Sequence, residues 1–175
     1  MSTAAQRLQA LATMRFPTLI PAEELILRQV ANGEEAQYEN PNDAENDLRQ
    51  ADTWGPERTI HAEVLRWLWV DRGAIRHIDP KGLSIHGARV DGELDLRMVT
   101  IPFPLFLVRC ALREPVNLEF AKVRMLGIIG STSQAIYGNG VVVHGDLRLR
   151  DGFDAQGEVN LIGASAARGP TPDGF

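Results

Sequence analysis

One cysteine in 175 residues, Cys110, rules out an internal disulfide, so the fold must be held by packing alone. Histidine is nearly as scarce, and the four present (His61, His77, His86 and His144) lack metal-site spacing. His61 stands two residues from Glu63, which is neither an i, i+4 ligand pair nor the HExxH pattern of a zinc helix. No apolar run reaches the ~20 residues needed to span a bilayer. The stretch Met1 to Arg15 has no apolar block of the kind a secretory signal carries. The cytoplasm is the expected compartment. No serine, histidine and acidic residue can be assembled by spacing into a nucleophilic triad. Gly138-Asn139-Gly140 is only a fragment of a glycine-rich loop, without the strand–loop–helix context of a dinucleotide site. No catalytic, cofactor-binding or metal-ligating residue is therefore expected, and no cofactor. Positive charge is also in short supply, with 18 Lys+Arg against 23 Asp+Glu and a net charge of −5. No basic, aromatic-interleaved face appears, which argues against a nucleic-acid partner.

What the sequence does have is a repeat. From Leu83 onward, apolar residues recur as pairs two apart: Leu83/Ile85, Ala88/Val90, Leu94/Leu96, Val99/Ile101, Leu105/Leu107, Cys110/Leu112, Val116/Leu118, Ala121/Val123 and Leu126/Ile128. A spacing of two puts both members on one side of an extended segment and excludes a helix, whose faces repeat at three and four. Each pair is followed by polar, Gly or Pro residues such as Asp91-Gly92, Pro102 to Pro104 and Glu114-Pro115, which suit corners. The steps alternate between five and six, so four sides make a coil of about 22 residues, as a stacked solenoid requires.

Stacking at that period predicts four columns. The first reads Leu83, Leu105, Leu126, Leu147 beside Ile85, Leu107, Ile128, Leu149. The second is weaker: Ala88, Cys110, Ser131 and the Gly152 region, with Val90, Leu112 and Ser133. The third reads Leu94, Val116, Ile136, Val159, and the fourth Val99, Ala121, Val141, Ala164 with Ile101, Val123, Val143, Ala166. About four coils fill Leu83 to Ala166. Cys110 falls on the inward side and is expected to act as a small core residue.

Local runs such as Val116-Asn117-Leu118-Glu119-Phe120, Leu94-Asp95-Leu96 and Val159-Asn160-Leu161 resemble the pentapeptide-repeat proteins. That resemblance covers about half the chain and implies a right-handed, four-sided parallel β-helix. The sequence departs from the family in its regular extra residue on every second side and in its large inward Leu and Val. The run Gly87 to Leu96 is also similar to bacterial β-solenoid proteins labelled "membrane-associated oxidoreductase", which implies an oxidoreductase as an alternative function. A further implication, imitation of duplex DNA toward a topoisomerase, needs a dense negative solenoid. Here residues 1–80 carry 8 Lys+Arg against 13 Asp+Glu, and residues 81–175 carry 10 against 10, so the solenoid is neutral.

Three divisions follow: residues 1–80 as a helical N-terminal region with a cap helix, 81–168 as the solenoid, and 169–175 as a tail. Helices are expected over Thr3 to Arg15, from Pro21 to Gly33, over a short piece of Asp43 to Gln50, and over Glu57 to about Asp71. The last carries Trp67 and Trp69 and should cap the first coil, whose uncovered end would otherwise invite association. The acidic stretch Glu34 to Asp47 reads as a solvated loop. Arg97 should lie one coil from Glu119, and Asp91 one coil from Arg113, as surface charge ladders. Phe106, Val108 and Ile129 should face outward, with Phe103 and Met125 at the adjoining corner. Contiguous outward apolar residues indicate a docking surface unless the N-terminal helices cover them. With no helix to cap the C-terminal coil, the expected function is a non-catalytic scaffold presenting a rigid surface to a protein partner or to its own copies.

Overall fold

The computed structural model describes residues 3–166, so the tail expected at 169–175 lies outside the described residues. Three parallel sheets wind up a solenoid of about four turns, closed at its N-terminal end by helices. The predicted columns stack in register. Leu83 pairs with Leu105, Leu105 with Leu126 and Leu126 with Leu147. Leu94, Val116, Ile136 and Val159 do the same, as do Ile101, Val123, Val143 and Ala166. Even the weak column holds, through Val90, Leu112, Ser133 and Ala155.

The first and fourth sides run into each other. Strands β3 (Leu83–His86), β6 (Thr100–Val108), β9 (Lys122–Ile129), β12 (Val142–Val143), β13 (Leu147–Arg150) and β16 (Ser165–Ala166) share one sheet. The corner expected at Pro102 to Pro104 is not a turn. There β6 continues through one extra residue, and its register on β9 shifts between Ile101 and Pro104. The bulge re-aims one side chain, and Phe103 enters the core at 5% exposure, so its expected place at an exposed corner of the docking face is corrected. The second side holds β4 (Arg89–Asp91), β7 (Ala111–Leu112), β10 (Thr132–Ser133) and β14 (Asp154–Ala155). The third holds β5 (Leu94–Asp95), β8 (Val116–Asn117), β11 (Ile136–Tyr137) and β15 (Val159–Asn160).

Two true corners turn through positive φ in every coil. Gly87, Arg109, Gly130 and Asp151 form one such column, at φ 70, 49, 55 and 55°. Met98, Phe120, Gly140 and Gly163 form the other, at φ 58, 54, 63 and 70°. Glycine fits this region freely, whereas Met98, Arg109, Phe120 and Asp151 occupy it against their steric preference.

The helices α1 (Thr3–Arg15) and α2 (Pro21–Asn32) match their expected spans, α2 ending at left-handed Gly33. The acidic stretch does more than form a loop. Within it, β1 (Ala36–Gln37) pairs with Ile85 and His86, extending the first column by one storey. The third helix becomes two 3-10 turns, Asp43–Asn46 and Leu48–Thr53, each started by an Asn or Asp side chain that accepts a backbone N–H. The cap helix starts later than expected, because Thr59–His61 forms β2, with Ile60 stacked on Val90. A β-branched Thr-Ile pair beside an open strand edge gains ladder bonds that a first helical turn cannot offer. Helices α3 (Ala62–Val70) and α4 (Arg72–Ile75) follow. The cap is thus an incomplete coil: two strands continue two sheets, and α3 packs against β5 of the third side and against β6. Trp67 and Trp69 are buried, with Trp67 edge-on to Phe16 at 5.7 Å between ring centres.

Candidate interaction surfaces

Between β1 and β2 the chain returns to the solenoid through polar side chains. Arg58 lies with its guanidinium carbon 3.6 Å from the centre of the Trp54 ring. It donates to the carbonyls of Gly87 at 2.9 and 3.1 Å and of Glu45 at 3.1 Å. Arg109 reaches Glu39 at 3.1 Å and Asp43 at 2.7 Å, and its bond to Asp43 lowers that carboxyl's pKa. Arg113 pairs with Asp52 at 2.7 Å. The buried Glu23 carboxylate accepts from the N–H groups of Ile20 and His61 and stands 2.8 Å from His61 Nδ1. These contacts fasten the N-terminal segment to the first two coils and leave His61 as a tethering group.

Cys110 is fully buried, its Sγ 3.3 Å from the Val108 carbonyl, and burial pushes its thiol up to about 12. Ser131 Oγ accepts from Cys110 N–H at 2.9 Å and is itself held against the carbonyls of Leu107 and Ile129. Among the described residues, no group of three His, Cys, Asp or Glu could hold a metal ion. No described helix is long and apolar enough to cross a membrane.

Four of the five residues expected to form a docking face lie on one outer surface. Phe106, Val108, Met125 and Ile129 line the outside of the first sheet, half-buried and outside the core cluster, whereas Phe103 lies within it. The Phe106 ring lies over Gly127, where an added Cβ would come within 2.5 Å of the ring. Val108 stacks on Ile129. The patch is therefore two coils high, and its side chains already cover one another. The predicted ladders between coils do not form as ion pairs. Arg97 instead grips Asp95 two residues away through two bonds of 2.9 Å, holding that carboxyl at about 2, and Arg89 takes Asp91 at 2.8 Å. Partners on the same strand are nearer for these side chains than those on the next coil. Glu119 is met from the next coil by Asn139, which donates to it at 3.0 Å.

Two other surfaces are more open. At the C-terminal rim the columns lose their cover: Val116 and Ile136 are 1% exposed, but Val159, next in that column, is 41% exposed. Leu147, Leu149, Phe153 and Ala164 are only partly buried. A concave stretch of about 440 Å³ follows Gly145 to Arg150 and reaches Ala166 along this rim. The second surface is the corner after the third side, where Met98, Phe120 and Ile162 are 79%, 60% and 75% exposed. The sequence reading missed it, although the 22-residue period places residues 98 and 120 in one outward column.

A parallel β-solenoid of about four turns with N-terminal helices is the class that the fold defines, its C-terminal rim uncovered among the described residues. Comparison of the chain with protein-family models, curated proteins and solved structures finds no match.

Proposed function

We propose that the protein is a non-catalytic scaffold, a cytoplasmic interaction module of pentapeptide-repeat-like design that offers a rigid solenoid surface to a protein partner or to another copy of itself. The observation carrying this reading is the rim of the fourth coil. There four inward columns end on side chains with no storey above them among the described residues, beside the unpaired outer edges of β13, β14, β15 and β16. Unpaired edges and exposed apolar columns are what an added strand or a docked end would cover. The Phe106, Val108, Met125 and Ile129 patch is a secondary contact area.

The test is the absolute mass by light scattering over a wide concentration range, with binding of an apolar-surface dye as a second reading. The wild type should associate with concentration or bind the dye. Leu149→Asp with Val159→Asp should abolish both effects and leave the far-ultraviolet circular dichroism unchanged. A wild-type protein that stays monomeric and binds no dye would refute the reading.

A further inference from the structure

The corner ridge of Met98, Phe120 and Ile162 breaks two local rules at once. Met98 and Phe120 are large apolar side chains held in solvent, and both sit at positive φ in a column where Gly140 and Gly163 show that glycine suffices. The Phe120 ring leans along the ridge over Gly140, where an added Cβ would come within 2.8 Å of the ring. Coils stack about 4.8 Å apart, so the ridge runs roughly 14 Å along the solenoid axis. Residues that defy both burial and backbone preference are where function is to be sought.

The flanks of the ridge carry opposite charge. On the sheet side, Lys122 and Arg124 are exposed and neither ion-pairs with a carboxylate among the described residues. The other described solenoid arginines do: Arg89, Arg97, Arg109, Arg113, Arg148 and Arg150 each have a carboxylate partner. On the third-side flank, Glu119 and Glu158 accept from Asn139 and Asn160 and from no cation among the described residues, and Asp95 offsets Arg97. One flank has two cations; the other, with exposed Glu93 in the same column as Glu158, has four carboxylates against one guanidinium.

We propose that this ridge is the interface between two copies of the chain, set side by side about a two-fold axis along the ridge. Rotation about that axis brings Phe120 against Phe120 of the second copy and lays the basic flank of each copy on the acidic flank of the other. A two-fold axis across the ridge would oppose basic flank to basic flank, so the charges select the parallel arrangement. The surface is separate from the C-terminal rim, so it stands whether or not the rim takes a partner.

The experiment is sedimentation equilibrium of the full chain at low and high salt, for the wild type, Phe120→Gly, Lys122→Glu, Glu119→Lys and the Lys122→Glu/Glu119→Lys double variant. Phe120→Gly removes the ring and relaxes the backbone, so it keeps the fold. The wild type should dimerise, more weakly as salt rises. Phe120→Gly and each single charge reversal should weaken the dimer roughly tenfold or more. The double reversal should restore it, because the flanks are again complementary. A wild-type monomer at every concentration would overturn the proposal. So would a dimer that these variants leave unchanged but Leu149→Asp abolishes, which would assign association to the rim instead.

Discussion

At the scale of single residues, close backbone approaches and a few buried polar groups hold the coils together. Gly82 turns at φ 81° against the backbone of Pro104, where a Cβ would collide with the carbonyl oxygen. Backbone cannot swing aside as a side chain can. Gly82→Ala should therefore cost about 2–4 kcal/mol, read as a lower urea midpoint at unchanged slope. Ser131→Ala would strand the Cys110 N–H inside the second column, at a cost of about 1–3 kcal/mol in the same measurement. The Cys110 thiol should resist a disulfide reagent in the native protein and react only on unfolding, since its pKa is raised by burial. Asp95 gives a pH signature. Its folded pKa of about 2 lies below the unfolded value near 3.9, so the stabilisation is present above about pH 4 and is lost as pH falls through 2. Comparison with Asp95→Asn by urea titration at several pH values should show this, with a gap under about 1 kcal/mol because Arg97 is half exposed.

At the scale of elements, the inward pairs were legible because a period of two and a coil of 22 residues leave a pattern in any sequence. The inward residues from Leu83 to Leu149 fall into columns on the sequence period alone. Phe103 could not, since one extra residue within β6 reverses which face the chain presents, and two prolines suggested a turn where the strand runs on. The cap was half legible. Trp67 and Trp69 marked a buried helix, but β1 and β2 are two and three residues long and gain their meaning only from the strand edges beside them. The exposed ridge escaped notice because a corner residue belongs to no inward pair. Arg58 is the element-scale test of the cap, as its guanidinium holds Gly87 and Glu45 against the Trp54 ring. Arg58→Ala should destabilise by about 2–3 kcal/mol. Limited proteolysis should then cut first between residues 38 and 58; equal resistance to the wild type would mean the clamp does not hold the segment.

At the scale of the whole molecule, cover decreases along the axis. The N-terminal end is closed by α1, α2 and α3, the middle coils are shielded on both sides, and among the described residues the fourth coil has neighbours on one side only. In a solenoid each coil leans on its neighbours, so local stability should follow that cover. The most direct test is amide hydrogen exchange, read segment by segment on protein dilute enough to be monomeric. Amides of β6 and β9 should exchange slowest and those of β13 to β16 fastest, with β1 and β2 protected as members of the sheets. Uniform protection through β13 to β16 in the monomer would contradict an uncovered rim, and with it the surface on which the proposed scaffold function rests.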